Sequence, residues 1–393
     1  MKVVHINTFP YKATGRIMLD IHHALQAEGY ESYAVWGRGR DASNEWERTI
    51  KDDIGVKLHG VMTRLTDRTG FFSQSATKSL LKELDIIRPD IVHLHNIHGY
   101  YVNIEMLFQY LKDREIKVVW TLHDCWPFTG HCAYFDRAGC DRWKTGCHNC
   151  PEKKSYPGSV VMDASKWNWM KKRELFTSAN ITFVTPCQWL KEILSQSFFS
   201  GYPAVVINNG IDTSAFKPTE SNFRKVNGLE DKTIILGVAS EWTERKGLKD
   251  FVQLSEMLDR NRYQIVLVGL TPKQIDKLPK HIIGIQRTEN IEALAGLYTI
   301  ADCLFNPTYE DNYPTTNLEA QACGTHVITY RTGGSPETIK GNGIVFEKGN
   351  LKGVVEYLAN VDSFKKMKVD DSLIERQAMI EGYRKLYKKI SEG

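Results

Sequence analysis

Residues 306–324 carry the side chains of this chain that are best spaced for chemistry. Pro314 followed by Thr315 and Thr316 predicts the start of a helix, because proline is favoured in the first helical turn. The free N–H groups at such a start favour an anionic ligand. Glu319 would lie about one turn further along, where its carboxylate can accept hydrogen bonds from hydroxyl groups beside the anion. A diphosphate next to a ribose, as in a nucleotide sugar, fits this arrangement.

A basic pair lies upstream of this segment. Arg245 and Lys246, followed by Gly247, come directly after a predicted strand at residues 233–239. A forked guanidinium and a compact ammonium group together suit a diphosphate. The alternative interpretations are a solvated basic turn here and, at residues 306–324, an acidic loop before an ordinary core helix. The presence of both features in one half of the chain favours the phosphate interpretation.

Length and composition indicate a folded protein of ordinary type. The chain has 393 residues, of which 42% are hydrophobic and 25% charged, so two domains are expected. A formal net charge of +4 is too small to favour nucleic-acid binding. No apolar run approaches the ~18 residues of a membrane span, and the first residues predict a strand rather than a signal peptide. We therefore expect a cytoplasmic protein.

Short apolar runs alternate with helical patterns along almost the whole chain. This alternation predicts an α/β fold with parallel sheets covered by helices on both faces, in two doubly wound, Rossmann-like domains. Strands are predicted at 3–7, 32–36, 91–95, 118–122, 181–185, 205–208, 233–239, 264–268, 281–285, 303–305 and 327–329. Helices are predicted at 16–28, 103–113, 188–196, 248–261, 291–301 and Thr315–Ala322. A further long helix is predicted to end near residue 178.

The polar, turn-rich segment 209–227 predicts the boundary between the two domains. We expect one domain at 1–208, with a cysteine-rich loop at 130–151, and a second domain at 209–375. A C-terminal helix is expected within 376–393, where Met379, Tyr383, Leu386 and Ile390 give it one apolar face. Domains of this kind bind ligands at the C-terminal edges of their strands, in a cleft where they face each other.

The first domain contains two smaller candidates for ligand contact. Gly15, in the predicted turn 13–16 between the first strand and its helix, would let phosphate or sugar approach the backbone, although a plain tight turn explains it equally well. His123 and Asp124 end the predicted strand 118–122 and form either a functional pair or an unremarkable strand end.

Three other histidines, His93, His95 and His98, lie on or just after the predicted strand 91–95. Alternating histidines on a strand are more often satisfied structurally than catalytic, so a structural role is favoured for all three.

Four cysteines, Cys132, Cys140, Cys147 and Cys150, have the spacing C-x7-C-x6-C-x2-C. Four thiolates would make a closed tetrahedral zinc site, and zinc would then stabilise the loop without taking part in a reaction. Reduced free thiols or a disulfide are the alternatives.

A basic and aromatic segment follows this loop. Lys153 and Lys154 precede a run from Lys166 to Arg173 that contains Trp167 and Trp169. Such a run is usually a solvated helix face. The sharper hypothesis is contact with an anionic membrane surface or with a lipid-diphosphate-linked acceptor.

The motifs resemble those of retaining glycosyltransferases of family 4, which have the GT-B fold. The resemblance rests on 245–247, on Asn306-Pro307, on the acidic pair before Glu319, and on Gly324, and covers nearly the whole chain. Residues 209–212 resemble the NGID signature that lies between the domains in this family. Residues 333–337 resemble the family's later glycine-rich loop. The subgroup it resembles includes bacterial exopolysaccharide, capsule and colanic acid enzymes.

The sequence departs from the family pattern at two places. The family usually has a glutamate eight positions before the one matching Glu319; here Asp311 occupies that position and Glu310 precedes it, so either carboxylate could serve. The family also commonly has an arginine five positions before the phosphate lysine. Glu241 stands there, and Arg245 is the expected substitute.

The resemblance implies that the domain at 1–208 is the acceptor side, that the domain at 209–375 binds the nucleotide sugar, and that the C-terminal helix crosses back to pack on the first domain. It also implies a role for each matching residue. Glu319 would hold the ribose hydroxyls and Asp311 or Glu310 those of the donor sugar. Arg245, Lys246 and the amides near Thr315 and Thr316 would stabilise the leaving diphosphate without a catalytic metal. Contacts from Gly15, Arg287, Thr288, Asn312, Tyr313 and Pro314 would complete the donor site. His123 and Asp124 match a position that faces the donor sugar in the family and are candidate catalytic residues: His123 could hydrogen-bond that sugar, and Asp124 could orient the imidazole or receive the acceptor.

The expected function is therefore transfer of a sugar from a UDP- or GDP-sugar to a lipid-linked saccharide in bacterial surface polysaccharide synthesis. The enzyme would act in the cytoplasm, with peripheral contact at the inner membrane face. A nucleotide-sugar epimerase or a phosphorylase of the same architecture is one alternative. A non-enzymatic, zinc-bearing interaction protein with a degenerate nucleotide pocket is another.

Overall fold

The computed structural model of the chain describes residues 1–361, 364 and 366–392. These residues form two compact units. The first unit contains Met1–Asn208 together with the residues from Ile380 onward, and the second contains Asn209–Met379. Each unit is built on one parallel β-sheet with helices around it, so the predicted α/β class with two Rossmann-like domains is confirmed.

The first unit has a seven-stranded parallel sheet in the order β3-β2-β1-β4-β5-β6-β7. The strand order reverses between β1 and β4, the place where open α/β sheets bind ligands. Its strands are β1 (Lys2–Asn7), β2 (Glu31–Trp36), β3 (Glu47–Thr49), β4 (Ile91–Leu94), β5 (Lys117–Thr121), β6 (Ile181–Thr185) and β7 (Ala204–Val206). Its helices are α1 (Lys12–Ala27), α2 (Asp53–Thr66), α3 (Gln74–Ile87), α4 (Ile104–Asp113), α5 (Ser165–Phe176) and α6 (Gln188–Ser195).

The second unit has a six-stranded parallel sheet in the order β10-β9-β8-β11-β12-β13, which reverses between β8 and β11. Its strands are β8 (Thr233–Val238), β9 (Tyr263–Val268), β10 (Ile282–Ile285), β11 (Cys303–Asn306), β12 (His326–Tyr330) and β13 (Gly343–Phe346). Its helices are α7 (Phe223–Val226), α8 (Leu248–Met257), α9 (Pro272–Ile275), α10 (Ile291–Ile300), α11 (Thr315–Ala322) and α12 (Leu351–Asn360).

The last helix, α13 (Arg376–Glu392), covers the sheet of the first unit with its apolar face. Tyr383 and Leu386 are buried, as the sequence predicted, and Tyr387 is buried beside them. The hydroxyl of Tyr383 lies 2.9 Å from that of Thr121 on β5. Residue 393 lies outside the described part of the chain. None of the described helices has the length and apolar character needed to cross a bilayer.

The predicted turn at 13–16 was wrong. Helix α1 begins at Lys12, so Gly15 lies inside its first turn. A Cβ atom placed on Gly15 would lie 2.5 Å from the carbonyl oxygen of Phe9. The missing side chain therefore lets the helix pack against the backbone of the loop that follows β1.

A layer of histidines lies on β1 and β4 beneath α13. His5 stands opposite His93 in the parallel register, and His95 follows after β4. Burial lowers the pKa of all three imidazoles well below 6.5, and neighbouring histidines lower it further, so they are neutral in the folded protein. Both ring nitrogens of His5 are buried without a hydrogen-bond partner in the part of the chain that the structure describes.

These three histidines are the one group among the described residues in which three possible metal-ligand atoms lie within 4.8 Å of one another. Both nitrogens of His93 are already hydrogen bonded. Nδ1 lies 2.6 Å from the hydroxyl of Tyr387, and Nε2 lies 2.7 Å from that of Thr121. A metal would have to displace one of these bonds. The contacts therefore agree with the structural role that the sequence favoured.

The histidine layer predicts that acid destabilises the first unit. Between the low folded-state pKa of His5 and its unfolded value of about 6.5, unfolding takes up a proton, so stability is complete above pH ~6.5 and is lost as the pH falls below it. We expect His5→Leu to reduce the dependence of unfolding free energy on pH below 6.5 by up to about 1.4 kcal/mol per pH unit. Urea unfolding followed by tryptophan fluorescence reports the unfolding of this unit, because Trp242 is the one tryptophan outside it.

His148→Gln is the matched control, since that side chain is exposed, and it should leave the acid dependence unchanged. At pH 7.5 His5→Leu should be neutral or stabilising, because it removes a buried polar group that has no partner. An acid dependence identical to that of the wild type would contradict the assignment.

Candidate functional site

The turn after β8 is pressed against the loop after β11 at one glycine. Gly247 has a φ of 74°, in the left-handed region that side chains disfavour. A Cβ atom placed on it would lie 2.3 Å from the carbonyl oxygen of Pro307. The N–H of Tyr309 also donates to the carbonyl oxygen of Arg245 at 2.7 Å. Since β8 and β11 are neighbours, both loops emerge at the same edge of the sheet, and these contacts hold them together.

Arg245 and Lys246 both contact the acidic residues of that loop. The ammonium of Lys246 donates to Oδ2 of Asp311 at 2.5 Å, and the guanidinium of Arg245 donates to the carbonyl oxygen of Glu310 at 2.8 Å. Burial acts to raise the pKa of Asp311, but the charges of Lys246 and Arg245 and the hydrogen bond from Lys246 outweigh it. The pKa of Asp311 is therefore lowered, and its carboxylate stays charged.

The two carboxylates of the acidic pair have different surroundings. The side chain of Asp311 is 16% exposed and that of Lys246 is 21% exposed, so their ion pair remains within reach of a ligand. Glu310 is buried and meets Arg245 through its main chain. The N–H of Gly334, in the glycine-rich loop after β12, donates to the carbonyl oxygen of Asp311 at 3.3 Å. Three loops of the second unit thus meet at Asp311.

Helix α11 begins at Thr315 with Pro314 as its N-terminal cap, at the position that the sequence predicted. The first N–H groups of such a helix, at Thr315 and Thr316, have no partner within the helix. The Thr315 hydroxyl donates to Oε1 of Glu319 at 3.3 Å, and the hydroxyl of Tyr298 donates to Oε2 at 2.9 Å. Glu319 is thereby fixed one turn inside the helix.

Tyr298 is a site residue that the sequence did not reveal. It lies on α10 and is fully buried. Its one signal is a hydroxyl-bearing aromatic in a largely apolar helical run, Ile291–Ile300. A buried tyrosine hydroxyl requires a hydrogen-bond partner, but the run does not say which partner it has.

The remaining predicted donor residues fall into two groups. Asn312 and Tyr313 are buried in the loop that leads into α11, directly after the Asp311 ion pair. Arg287 and Thr288 follow β10 at the edge of the sheet, with β9 between β10 and β8. Arg287 is exposed.

The cluster in the second unit can hold an anion that carries hydroxyl groups. Two cations and a helix N-terminus favour negative charge, and phosphate in particular. A fixed carboxylate, Glu319, accepts hydrogen bonds from hydroxyl groups one helical turn away.

His123 and Asp124 follow β5 in the first unit. Oδ2 of Asp124 lies 2.8 Å from Nε2 of His98, and Oδ1 accepts the N–H of Trp126 at 3.0 Å. Burial acts to raise the pKa of Asp124, but His98 and these hydrogen bonds lower it, so the carboxylate stays charged. Burial lowers the pKa of His123 to about 4, and its Nε2 lies 3.0 Å from Nδ1 of His95. A neutral imidazole and a carboxylate thus stand side by side.

The cysteines of the 130–151 loop lie near one another as free thiols. A hydrogen bond between Cys132 and Cys150 raises the pKa of Cys132 and lowers that of Cys150. Burial raises the pKa of Cys147 to about 12, and the charges of Cys150 and Cys140 act on it as well. Within the described chain no three of these sulfurs lie within 4.8 Å of one another, so a tetrahedral site would require the loop to contract.

The predicted basic and aromatic face on α5 is partly interior. Lys172 is 1% exposed, and its ammonium donates to the carbonyl oxygens of Trp126 at 2.8 Å and Thr129 at 3.1 Å. The same ammonium lies 3.4 Å from the ring centroid of Trp126. Trp169 is also buried. These contacts satisfy the cation inside the protein, so neither side chain belongs to a solvated or membrane-facing surface.

Both units match known protein families. Residues 14–215 match the model of Glycosyltransferase Family 4, which is slightly more than half of the chain, and residues 219–381 match Glycosyl transferases group 1. The putative colanic acid biosynthesis glycosyl transferase WcaC of Escherichia coli (strain K12) is 24% identical over 347 residues, covering 83% of this chain and 82% of that protein.

Solved structures show the same fold at low identity. The sucrose-phosphate synthase of Thermosynechococcus elongatus is 14% identical with a TM-score of 0.75, covering 99% of this chain and 98% of that one. HepE of Anabaena, solved in complex with UDP, is 12% identical with a TM-score of 0.67, covering 99% of this chain and 100% of that one. The chain is a glycosyltransferase that belongs to family 4 and has the GT-B fold.

Proposed function

We propose that the protein moves a sugar from a UDP- or GDP-sugar to a lipid-linked saccharide in surface polysaccharide synthesis. The observation that carries the proposal is the contact of the Arg245–Lys246 turn with the acidic loop before α11, with Glu319 fixed inside that helix. The similarity to WcaC supports a polysaccharide product, and HepE with bound UDP supports a nucleoside diphosphate as the leaving group. The proposed place of action is the cytoplasm, at the inner membrane face.

In this proposal the second unit binds the donor. Lys246, Arg245 and the amides at Thr315 and Thr316 hold the diphosphate. Glu319 accepts hydrogen bonds from the ribose, and Asp311 or Glu310 from the transferred sugar. Asp311 would release Lys246 as the phosphate arrives, because a phosphate competes with a carboxylate for the same ammonium group. Arg287 and Thr288 would contact the base.

The proposed reaction retains the anomeric configuration and uses no catalytic metal. The bond from the anomeric carbon to the phosphate oxygen breaks, and the acceptor oxygen bonds to that carbon on the same face. The departing phosphate oxygen takes the acceptor's proton. Arg245 and Lys246 stabilise the charge that develops on this oxygen, the contribution that is often the largest in enzyme catalysis.

The first unit would supply the acceptor-side groups. His123, neutral because of its low pKa, can donate or accept a hydrogen bond to a sugar hydroxyl without adding charge. Asp124 can accept one from the acceptor hydroxyl while His98 holds its other oxygen.

Two substitutions separate the diphosphate contacts from the ribose contacts. Lys246→Ala should weaken the binding of both inorganic pyrophosphate and the nucleoside diphosphate by about 10- to 100-fold, because one charge-assisted hydrogen bond is lost. Glu319→Gln should weaken only the nucleoside diphosphate, because pyrophosphate has no ribose. Sugar transfer should fall about 100- to 1,000-fold in Lys246→Ala. Calorimetry and transfer of labelled sugar to a lipid saccharide measure these effects.

Lys249→Ala is the matched control, since that exposed lysine lies three positions along and pairs with Glu244. Removing Lys246 alone leaves the carboxylate of Asp311 without its partner, which could destabilise the fold. The double variant Lys246→Met/Asp311→Asn removes both charges, so weak binding by this variant would show that the loss does not come from an unpaired buried charge. Unchanged transfer in Lys246→Ala together with unchanged nucleoside diphosphate binding in Glu319→Gln would refute the site. Conversion of one nucleotide sugar into another without any saccharide would indicate an epimerase, and failure to bind any nucleoside diphosphate would indicate a non-enzymatic protein.

We also propose that Cys132, Cys140, Cys147 and Cys150 hold a structural zinc ion. The support is the hydrogen-bonded pair Cys132–Cys150 with Cys147 next to it, in a loop that has no regular strand or helix to stabilise it beyond short turns. Binding would draw the four sulfurs together and release their thiol protons.

Metal analysis tests the zinc proposal directly. The protein purified without chelator should contain about one zinc per chain, and Cys147→Ser/Cys150→Ser should contain none and unfold at lower temperature. Cys323→Ala, which removes a buried thiol in the second unit, should keep its zinc. A metal-free wild type that does not take up added zinc would rule out the site.

A further inference from the structure

Helix α2 turns its apolar side to solvent. Ile54, Leu58, Val61 and Leu65 recur at intervals of four, three and four residues, which places them on one helical face. Their exposed fractions run from 81% at Ile54 to 46% at Leu65. In an ordinary surface helix such a face is buried against the protein. Helix α2 therefore has the opposite orientation: its apolar side faces solvent, and its more polar side faces the protein.

Hydrogen bonds on the buried side of α2 fix this orientation. Nε2 of His59 accepts the N–H of Gly70 at 3.0 Å, so Nδ1 carries the proton and donates to the hydroxyl of Ser73 at 2.8 Å. Thr63 is buried on the same side. Rotating the helix to hide its apolar face would break these bonds. The exposed apolar side is thus part of the stable structure.

A second segment extends the apolar side. The N–H groups of Val160 and Met162 donate to the carbonyl oxygens of Arg64 at 2.8 Å and Leu65 at 3.2 Å, in the last turn of α2. The side chains of residues 160–162 are also exposed, by 75% at Val160 and 49% at Met162. We call the outer side of α2 together with residues 160–162 the α2 face.

Cations accompany these apolar side chains. Lys57 and Arg64 are exposed on α2, Arg68 is exposed two residues after the helix ends at Thr66, and Asp53 in the first turn is the one exposed acidic residue of α2. The guanidinium of Arg68 lies 4.4 Å from the ring centroid of Trp167. Apolar side chains that can enter the headgroup region, with cations beside them, are complementary to an anionic lipid surface.

A cavity of about 500 Å³ lies at the end of the α2 face. The hydroxyl of Tyr156, in its wall, lies 3.2 Å from Nδ1 of His98, whose Nε2 contacts Asp124. The cavity therefore lies between the α2 face and the carboxylate assigned to the acceptor side. Its lining has two cations and is formed by Arg64, Tyr100, Lys154, Tyr156, Gly158, Ser159 and Val160.

We propose that the α2 face docks the protein on an anionic lipid bilayer. Its apolar side chains enter the headgroup region, and Lys57 and Arg68 meet lipid phosphates. This inference rests on the proposed transfer to a lipid-linked acceptor and deepens it. A docked protein places the cation-lined cavity at the membrane surface, where the phosphate of such an acceptor is found.

Vesicle sedimentation with the full chain tests the proposal. The protein should bind vesicles of phosphatidylcholine mixed with phosphatidylglycerol, bind phosphatidylcholine alone much more weakly, and be released by salt. Leu58→Ser/Val61→Ser/Leu65→Ser should lower the affinity for mixed vesicles at least about tenfold. Lys57→Gln/Arg68→Gln should lower it about 30-fold at low salt, at about 1 kcal/mol per cation.

Val226→Ser/Ile291→Ser is the matched control, because both side chains are exposed apolar residues of the second unit, and it should bind vesicles as the wild type does. Binding of nucleoside diphosphate is measured on every variant and should be unchanged. That readout separates the two proposals. A variant that loses vesicle binding but still binds nucleotide tests the docking proposal alone. A wild type that fails to bind nucleotide would contradict the proposed function and would leave the docking result unaffected.

Two results would overturn the docking proposal. The first is equal binding of the wild type and the triple serine variant to mixed vesicles. The second is a wild-type dimer that binds no vesicles and that the triple variant converts to a monomer, which would make the α2 face a contact between copies of this chain.

Discussion

The adjacency of β8 and β11 in the second sheet is the constraint on which the candidate site depends. Parallel neighbours end at the same edge of a sheet, so the residues that follow them are brought together although about 60 positions separate them in sequence. Gly247 then allows a contact with Pro307 that no side chain would permit. Without that contact the side chains of Arg245 and Lys246 would extend into solvent, and the protein would not hold their cationic groups in one position.

The ion pair of Lys246 with Asp311 links this geometry to chemistry. A lysine held by a carboxylate is already ordered and partly desolvated, so in the proposed donor site little reorganisation would remain when the diphosphate takes the carboxylate's place. Glu319 is prepared in the same way by Tyr298 and Thr315. Both groups are oriented by the protein rather than by the ligand.

The sequence predicted those parts of the structure whose signals are local. Helix α11 has the predicted bounds because Pro314 and the residues after it mark a helix start unambiguously. Gly15 was misplaced because a glycine needed for packing against a distant backbone looks the same in sequence as one needed for a turn. Lys172 and Tyr298 find their partners through tertiary contacts with other elements, which no local pattern can reveal.

Helix α2 is another element whose orientation the local sequence does not determine. Its sequence has an apolar stripe, and the general rule that such a stripe faces the core would place it inward. The rule fails because the competing side carries His59, whose two hydrogen bonds with Gly70 and Ser73 are lost if the helix turns. A few satisfied polar contacts can outweigh the burial of partly exposed apolar side chains, since each unsatisfied buried group costs about 1–3 kcal/mol. The inverted helix therefore leaves an apolar surface whose burial requires something outside the folded chain, and the cations beside it favour an anionic one.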